Sequence, residues 1–336
     1  MKVLTLNPGS SSLKVALLDG DTVAWAWEDD RWDGRAAPDA AFATRPDAVA
    51  VRFVHGGDRA HPAVLDDAVL AELAALAPLA PLHQPQALRI AAAVLRRMPD
   101  TPVVACFDTA FHAGLPTRAR LCAIPRALAE AHGIRRYGFH GLSIAYAVRR
   151  AAELLGRPVE EIGVVVAHLG SGTSVTAVEG GASVDTSMGF SPLDGLPGRT
   201  RSGALDPAAV FHLLRAGMAP DDLERVLREE SGLAGLSGTD GDLRSLLASP
   251  HPHAAEAIEV YLHRVRREVA AVRASLTRFD ALVLTGGVAE HNPALCADAV
   301  AGLEFLGSAP VLAFRAREDV ELARQARLAA GERSLR

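Results

Sequence analysis

Apolar and polar residues alternate in two short runs near the amino terminus, Leu4 and Leu6, then Val15, Leu17 and Leu18, with a Gly/Ser turn between them. A period of two over so few residues predicts β-strands. Along the chain the same reading predicts strands over 2–7, 13–18, 48–54, 102–107, 162–168, 173–178 and 281–285. Helical spacing predicts helices over 66–76, 86–97, 141–155, 206–216, 221–230, 253–277, 293–303 and 318–330. The 253–277 segment carries its apolar stripe on Ala254, Ile258, Tyr261, Val265, Val269 and Val272. Strands that alternate with helices in this way predict an α/β fold. Residues 28–47, rich in Asp, Arg, Ala and Pro, read as a surface excursion.

One stretch has an echo. "NPGSSSLKVALLDG" at 7–20 and "HLGSGTSVTAVEGG" at 168–181 share an order of parts: a strand end, a small hydroxyl-rich turn, a second strand and a closing Gly. The two copies lie 161 residues apart, about one domain. Two similar domains, each presenting such a turn across a cleft, would hold opposite ends of a phosphate chain. The plain alternative is a chance likeness between two Gly/Ser turns.

Composition narrows the classes. The chain has 336 residues, 49% hydrophobic and 22% charged, with a formal net charge of -5. This suits a soluble globular protein of two domains and offers no basic field for nucleic acid or an anionic membrane. The longest apolar stretch, around residues 70–82, is broken by Glu72, Pro78 and Pro81, well short of a membrane span. The start of the chain reads as a strand rather than a charged leader and a long apolar block. Cys106, Cys122 and Cys296 match neither a disulfide framework nor a metal spacing. A free, buried thiol at each, in a reducing cytoplasm, is the expectation.

Polar groups gather beside the predicted strands. "VRFVHGG" (51–57) carries Arg52, and "PLHQP" (81–85) holds His83 between prolines. "VACFDTAFH" (104–112) ends an apolar strand at Asp108, where a carboxylate meets a ligand in open α/β sheets. "YGFHGLS" (137–143) presents His140, "AHLGSGTS" (167–174) His168, and the Gly-punctuated loop at 185–207 Arg201. "LTGGVAEHNP" (284–293) pairs two glycines after a strand, where a backbone can pass close to a base or ribose. No GxxxxGK[ST] phosphate loop is present. Each residue alone has an ordinary structural reading, as a turn cap, a surface ion pair or a hydrogen-bonded core histidine. Together, a strand-end carboxylate, two loop arginines and several histidines among glycines form the kit for phosphoryl transfer.

These stretches, with "NPGSSSLK", "APLAPLHQP", "GIRRYGFHG", "SVDTSMGFSPLDGL", "TRSGALDP", "SGLAGLSG" and "GLEFLG", resemble the acetate kinase family in order and over most of the chain. The resemblance implies two actin-like, ribonuclease H-like domains with a nucleotide cleft between them, one formed by 1–112 plus 319–336 and the other by 113–318. It implies ATP and a small carboxylate as substrates, Mg2+ (or Mn2+) as cofactor, a homodimer, and no nucleic-acid or membrane partner. Asn7, Ser10, Ser12 and Lys14 would form the first phosphate turn. Arg52 and Arg201 would hold the acyl carboxylate and then the migrating phosphoryl group, and His140 would contact the transition state. Asn7, Asp108 and Glu318 would hold the metal. His168, Gly170, Ser171 and Gly172 would meet the terminal phosphates. Asp242, Leu243, Arg244, Gly286, Gly287 and Val288 would line the adenosine pocket, and Val54, Leu82, Phe139 and Pro192 the pocket for the substrate methyl.

The chain departs from the family where Ser171 replaces the usual Asn, Ala289 and His291 replace Gly and Asn, and Arg199 replaces Gly. It is also shorter than most members, between Lys14 and Arg52 and again before the last helix. Three readings follow: an acetate kinase, a kinase for another small acid such as propionate, or a non-catalytic nucleotide-binding scaffold of the actin type.

Overall fold

In a computed structural model of the protein, residues 1–9, 12–32 and 37–333 are described. The chain divides into two compact units. The first comprises Met1–Ala113, Phe139–Tyr146 and Arg317–Arg336, the second Gly114–Gly138 and Ala147–Ala316. Residues Phe139–Tyr146 and, at the boundaries, Ala113, Arg317 and Glu318, which the sequence division gave to the second part, lie with the first unit.

The first unit is built on β1 (Lys2–Pro8), β2 (Leu13–Asp19), β3 (Thr22–Asp29), β4 (Ala48–Phe53), β5 (Ala63–Val64) and β6 (Val103–Phe107). They form one sheet in the order β3-β2-β1-β4-β6-β5, an antiparallel meander followed by β4 and β6 parallel to β1. "AVAVRF" in β4 and "VVACF" in β6 are nearly continuous apolar runs because both faces of these strands are covered. One face carries Leu4, Leu6, Val49, Val51, Phe53 and Phe107 and packs with Ala87, Ile90 and Val94 of the helix Gln84–Arg97. The other face carries Val3, Ala50, Val104 and Cys106 and packs with Val320, Leu322, Ala323 and Ala326 of the helix Glu318–Arg333.

The second unit repeats the arrangement. Its strands are β7 (Gly163–Leu169), β8 (Thr173–Glu179), β9 (Ala182–Thr186), β10 (Ala281–Thr285) and β11 (Val311–Ala313), in the order β11-β10-β7-β8-β9. Both sheets thus run a three-stranded meander and then add parallel strands beside its first member. The echo between residues 7–20 and 168–181 coincides with corresponding turns of the two sheets, β1 to β2 and β7 to β8. The helix Pro252–Arg273 buries Ala254, Tyr261, Val265, Val269 and Val272 of its expected stripe, with Ile258 packed at the edge.

Two expectations need correction. The 28–47 segment is more than a surface excursion, since β3 runs to Asp29 and Trp32, Ala37 and Ala41 are buried in the first unit's core. Ala41 is buried by a helix of four residues, Asp39–Phe42, too short for an apolar stripe to show in the sequence. All three cysteines are free, but only Cys106 and Cys296 are buried; Cys122 is partly exposed on a short connection.

Candidate active site

The first unit brings Asn7, Arg52, Asp108 and Glu318 into one group. Asn7 lies next to the end of β1, Arg52 near the end of β4, and Asp108 immediately after β6. These are adjacent strands, so their carboxyl ends converge. Glu318 opens the carboxy-terminal helix that covers this face. Arg52 grips Asp108 with Nη2 at 2.6 Å from Oδ2 and Nε at 3.1 and 3.2 Å from the two oxygens. Its Nη1 donates to Asn7 Oδ1 at 3.0 Å, and Asn7 Nδ2 donates to Glu318 Oε2 at 2.7 Å. The planar fork of arginine makes this two-sided grip; an ammonium could not.

Asp108 is 1% exposed, whereas Asn7, Arg52 and Glu318 are partly exposed, so it is the Asp108 carboxylate that burial affects most. Burial pushes its carboxyl above the ordinary range, the Arg52 charge and hydrogen bonds pull it back, and Glu318 pushes it up again. Burial also works against the Arg52 charge, but Asp108 and Glu318 outweigh it and raise the guanidinium. Arginine does not give up its proton, so the bidentate contact favours the anionic form of Asp108.

The start of the helix Gly141–Leu155 holds Asp108 from a second side. The His140 backbone N–H donates to the Asp108 carboxylate, and Gly141 N–H donates to the Asp108 carbonyl at 2.9 Å. A methyl group on Gly141 would stand 2.2 Å from that carbonyl oxygen, so only glycine lets the helix start so close. His140 itself has φ of 60°, an uncommon backbone for a residue with a side chain.

Val54 and Phe139 are buried in this unit, and Leu82 is partly exposed. Ser12 lies in the β1–β2 turn, where its carbonyl accepts from Gly9 N–H at 2.7 Å. Ser10 lies outside the described residues. Lys14 is exposed on β2 and pairs with Glu28 of β3 at 2.7 Å.

The remaining expected residues belong to the second unit. His168 stands one residue before the end of β7, in register with Ser174, and a methyl on Gly170 would come within 3.1 Å of His168 Nε2. Ser171 is exposed and its carbonyl accepts from Arg199 N–H at 2.9 Å, while Gly172 is buried. Arg201 is partly exposed, and Gly232 packs against its backbone. Pro192 lies in a turn closed by Leu193 N–H donating to Ser191 Oγ at 3.2 Å. Asp242 caps the helix Leu243–Ala248 and chelates the Arg244 guanidinium at 2.7 Å; hydrogen bonding from Arg244 draws its carboxyl down to about 2. Leu243 is buried in the core and Val288 packs against it. Gly286 has φ of 92°, and a Cβ there would meet the Leu169 carbonyl at 2.5 Å, which fixes glycine between β10 and the short helix Gly287–His291.

Pattern reading does not find the residues that frame the first group. Gln84 is fully buried and bonded to the main chain of His55, while its neighbour His83, the residue singled out from "PLHQP", is only partly buried. Thr109 Oγ1 accepts from Gly56 N–H at 3.0 Å, tying the turn after β4 to the end of β6. His112 is buried with Nε2 at 2.9 Å from the Phe139 carbonyl, and burial draws its pKa down to about 4. The signals were present as "VRFVHGG", "PLHQP" and "FDTAFH", but the contacts between them are long-range.

Among the described residues, no three His, Cys, Asp or Glu side chains come together as a metal cluster. The available donors in the first unit are the Asp108 and Glu318 carboxylates with the Asn7 amide oxygen. This set is all oxygen, and its two carboxylates face one guanidinium. Hard donors with an excess of negative charge fit a hard divalent cation such as Mg2+.

Comparison with known proteins gives a consistent family. The model of the acetokinase family matches residues 41–316. The chain is 45% identical to the acetate kinase of Clavibacter michiganensis subsp. michiganensis, over 91% of this chain and 87% of that one. Among solved structures it is similar to the Porphyromonas gingivalis acetate kinase, with 28% identity, a TM-score of 0.86, and coverage of 98% and 99% of the two chains. It is similar too to a propionate kinase from Francisella tularensis, with 29% identity, a TM-score of 0.88, and coverage of 97% and 99%.

Proposed function

The chain belongs to the acetokinase family, and from that premise we propose that it transfers the γ-phosphoryl group of ATP to acetate, reversibly, giving acetyl phosphate and ADP. The observation that carries the reading is the Arg52 fork between Asn7 and the buried Asp108, with Glu318 beside them.

A carboxylic acid is already ionised near pH 7, so its oxygen needs no general base to act as a nucleophile. The barrier lies in bringing that anion against a polyanion. Arg52 and Arg201 supply positive charge and directed donors for the carboxylate and for the equatorial oxygens of the migrating group, and His140 adds a further donor. Asn7, Asp108 and Glu318 would hold Mg2+, with Mn2+ the alternative. Bound there, the ion would neutralise phosphate charge and orient the phosphates for in-line attack. Val54, Leu82, Phe139 and Pro192 would take the methyl group. Ser10, Ser12 and Lys14 in the first unit, and His168 with Gly170, Ser171 and Gly172 in the second, would meet phosphate oxygens. Asp242, Leu243, Arg244, Gly286, Gly287 and Val288 would take the adenosine. The proposal includes direct transfer without a phosphoenzyme, and a homodimer in the cytoplasm, where the three free thiols would stay reduced. Among the described residues no helix is long and apolar enough to cross a membrane.

A second reading, transfer to propionate, is favoured by the likeness to the Francisella protein. Trapping acyl phosphates as hydroxamates, with Mg2+, ATP and a panel of two- to four-carbon acids, separates the readings. Highest kcat/KM with acetate is expected. A preference for propionate moves the assignment to the second reading, and no product with any acid defeats both.

A further inference from the structure

Gln84 opens the helix Gln84–Arg97 and has no exposed surface. Its Nε2 donates to the His55 carbonyl at 3.0 Å and to the Leu73 carbonyl at 3.1 Å. Its Oε1 accepts from the His55 N–H at 3.4 Å. One side chain thus holds both main-chain groups of His55 and ties them to the end of the helix Asp67–Ala75. With both amide donors and the acceptor engaged, the group has a single orientation.

His55 follows Val54 and stands three residues beyond Arg52. The turn is held from other directions as well: Gly57 N–H donates to His55 Nδ1 at 3.0 Å, and Gly56 N–H to Thr109 Oγ1 at 3.0 Å. The His55 ring meets the Phe139 ring edge-on, with centroids 5.8 Å apart and planes at 68°. Phe139 is fixed in turn by His112 at its carbonyl. A shift of the His55 backbone therefore moves the side chains on either side of it, Val54 through the chain and Phe139 through the ring contact.

We propose that Gln84 is a positioning residue that sets which acid chain length the enzyme prefers, by fixing His55 and through it the Val54 and Phe139 walls. This rests on the reading of those two side chains as part of the acyl pocket. The competing account makes Gln84 a clamp of the fold with no bearing on substrate choice. The two differ in what they predict. A looser fold lowers turnover of all acids together, whereas displaced walls change the ratio between them. A hydrophobic pocket discriminates one methylene by about 10- to 200-fold, so a displaced wall alters selectivity on the order of tenfold.

The test uses the full-length protein and the variants Gln84→Glu, which keeps the shape but replaces the donors to the His55 and Leu73 carbonyls by an ionisable oxygen, and Gln84→Asn, which retracts the amide by one methylene. Hydroxamate assays would give kcat and KM for acetate, propionate and butyrate, with KM for ATP and the thermal midpoint alongside. The expected result is a change of about tenfold in the ratio of kcat/KM for acetate to that for the longer acids, carried by KM for the acid, with KM for ATP unchanged. Equal losses for all three acids, or an unchanged ratio in a folded variant, overturn the proposal. So does failure of both variants to fold, which assigns Gln84 to the fold alone. If the wild-type protein turns over none of the acids, the reading of the pocket falls and the proposal with it; an active enzyme with an unmoved ratio removes the proposal alone.

Discussion

Arg52 shows why single side chains decide this site. Its fork satisfies Asp108 with two nitrogens and Asn7 with a third, so one guanidinium organises three strands' worth of chemistry. The position was legible because a charged residue near the end of an apolar strand has few reasons to be there except a partner or a ligand. Glu318 was not legible from pattern and entered only through the family resemblance, since an acid in the first turn of a helix is ordinary. His112 gives a pH signature. Its pKa is near 4 in the fold against about 6.5 when exposed, so between those values the unfolded chain binds the extra proton. Stability therefore rises with pH through this window and is lost as pH falls from 6.5 towards 4, by on the order of 3 kcal/mol. Urea midpoints at pH 7 and pH 5 should fall more in the wild-type protein than in His112→Gln; parallel slopes would remove His112 from the account.

Between strand and helix, the closest fit is where Gly141 starts its helix on the Asp108 carbonyl. Gly141→Ala places a methyl 2.2 Å from the Asp108 carbonyl oxygen and 2.8 Å from Phe111 Cβ, so the helix start, Phe111 or Asp108 itself must move. The prediction is a fall in kcat of about a hundredfold, the cost of a misplacement of roughly 1 Å at a reacting centre, with circular dichroism unchanged. Wild-type turnover in that variant would show that Asp108 need not be held so tightly. The long elements were readable: the helices over 84–97, 141–155 and 252–273 from apolar periodicity, and the seven predicted strands from short alternating or continuous apolar runs. β3 was not, because its outer residues are exposed and only Trp25 and Trp27 pack inward. β5, β9 and β11 and the helices Gly232–Ser237 and Leu243–Ala248 are too short for periodicity to mark, and tertiary packing decides them.

For the chain as a unit, the repeated strand order, β3-β2-β1-β4-β6 and β9-β8-β7-β10-β11, gives the Gly/Ser echo its physical meaning. The same meander, built twice, puts a small-residue turn after the first strand of each sheet. That order could not be deduced from the echo alone, because strand order depends on which apolar faces pair over long range. The two arginines also fall to different units, Arg52 to the first and Arg201 to the second. Sequence places both in loops or strand ends but says nothing of the framing by Gln84, Thr109 and His112, which rests on contacts between segments far apart in the chain.

The central claim is that the Arg52–Asp108 group carries phosphoryl transfer to a carboxylate. Asp108→Asn tests it most directly, since it keeps the shape and an acceptor oxygen while removing the charge. Acyl phosphate formation from ATP and acetate should fall by about a thousandfold or more, roughly 4 kcal/mol in the barrier, in a variant shown to be folded by circular dichroism. Turnover within tenfold of the wild-type rate in that folded variant would contradict the account.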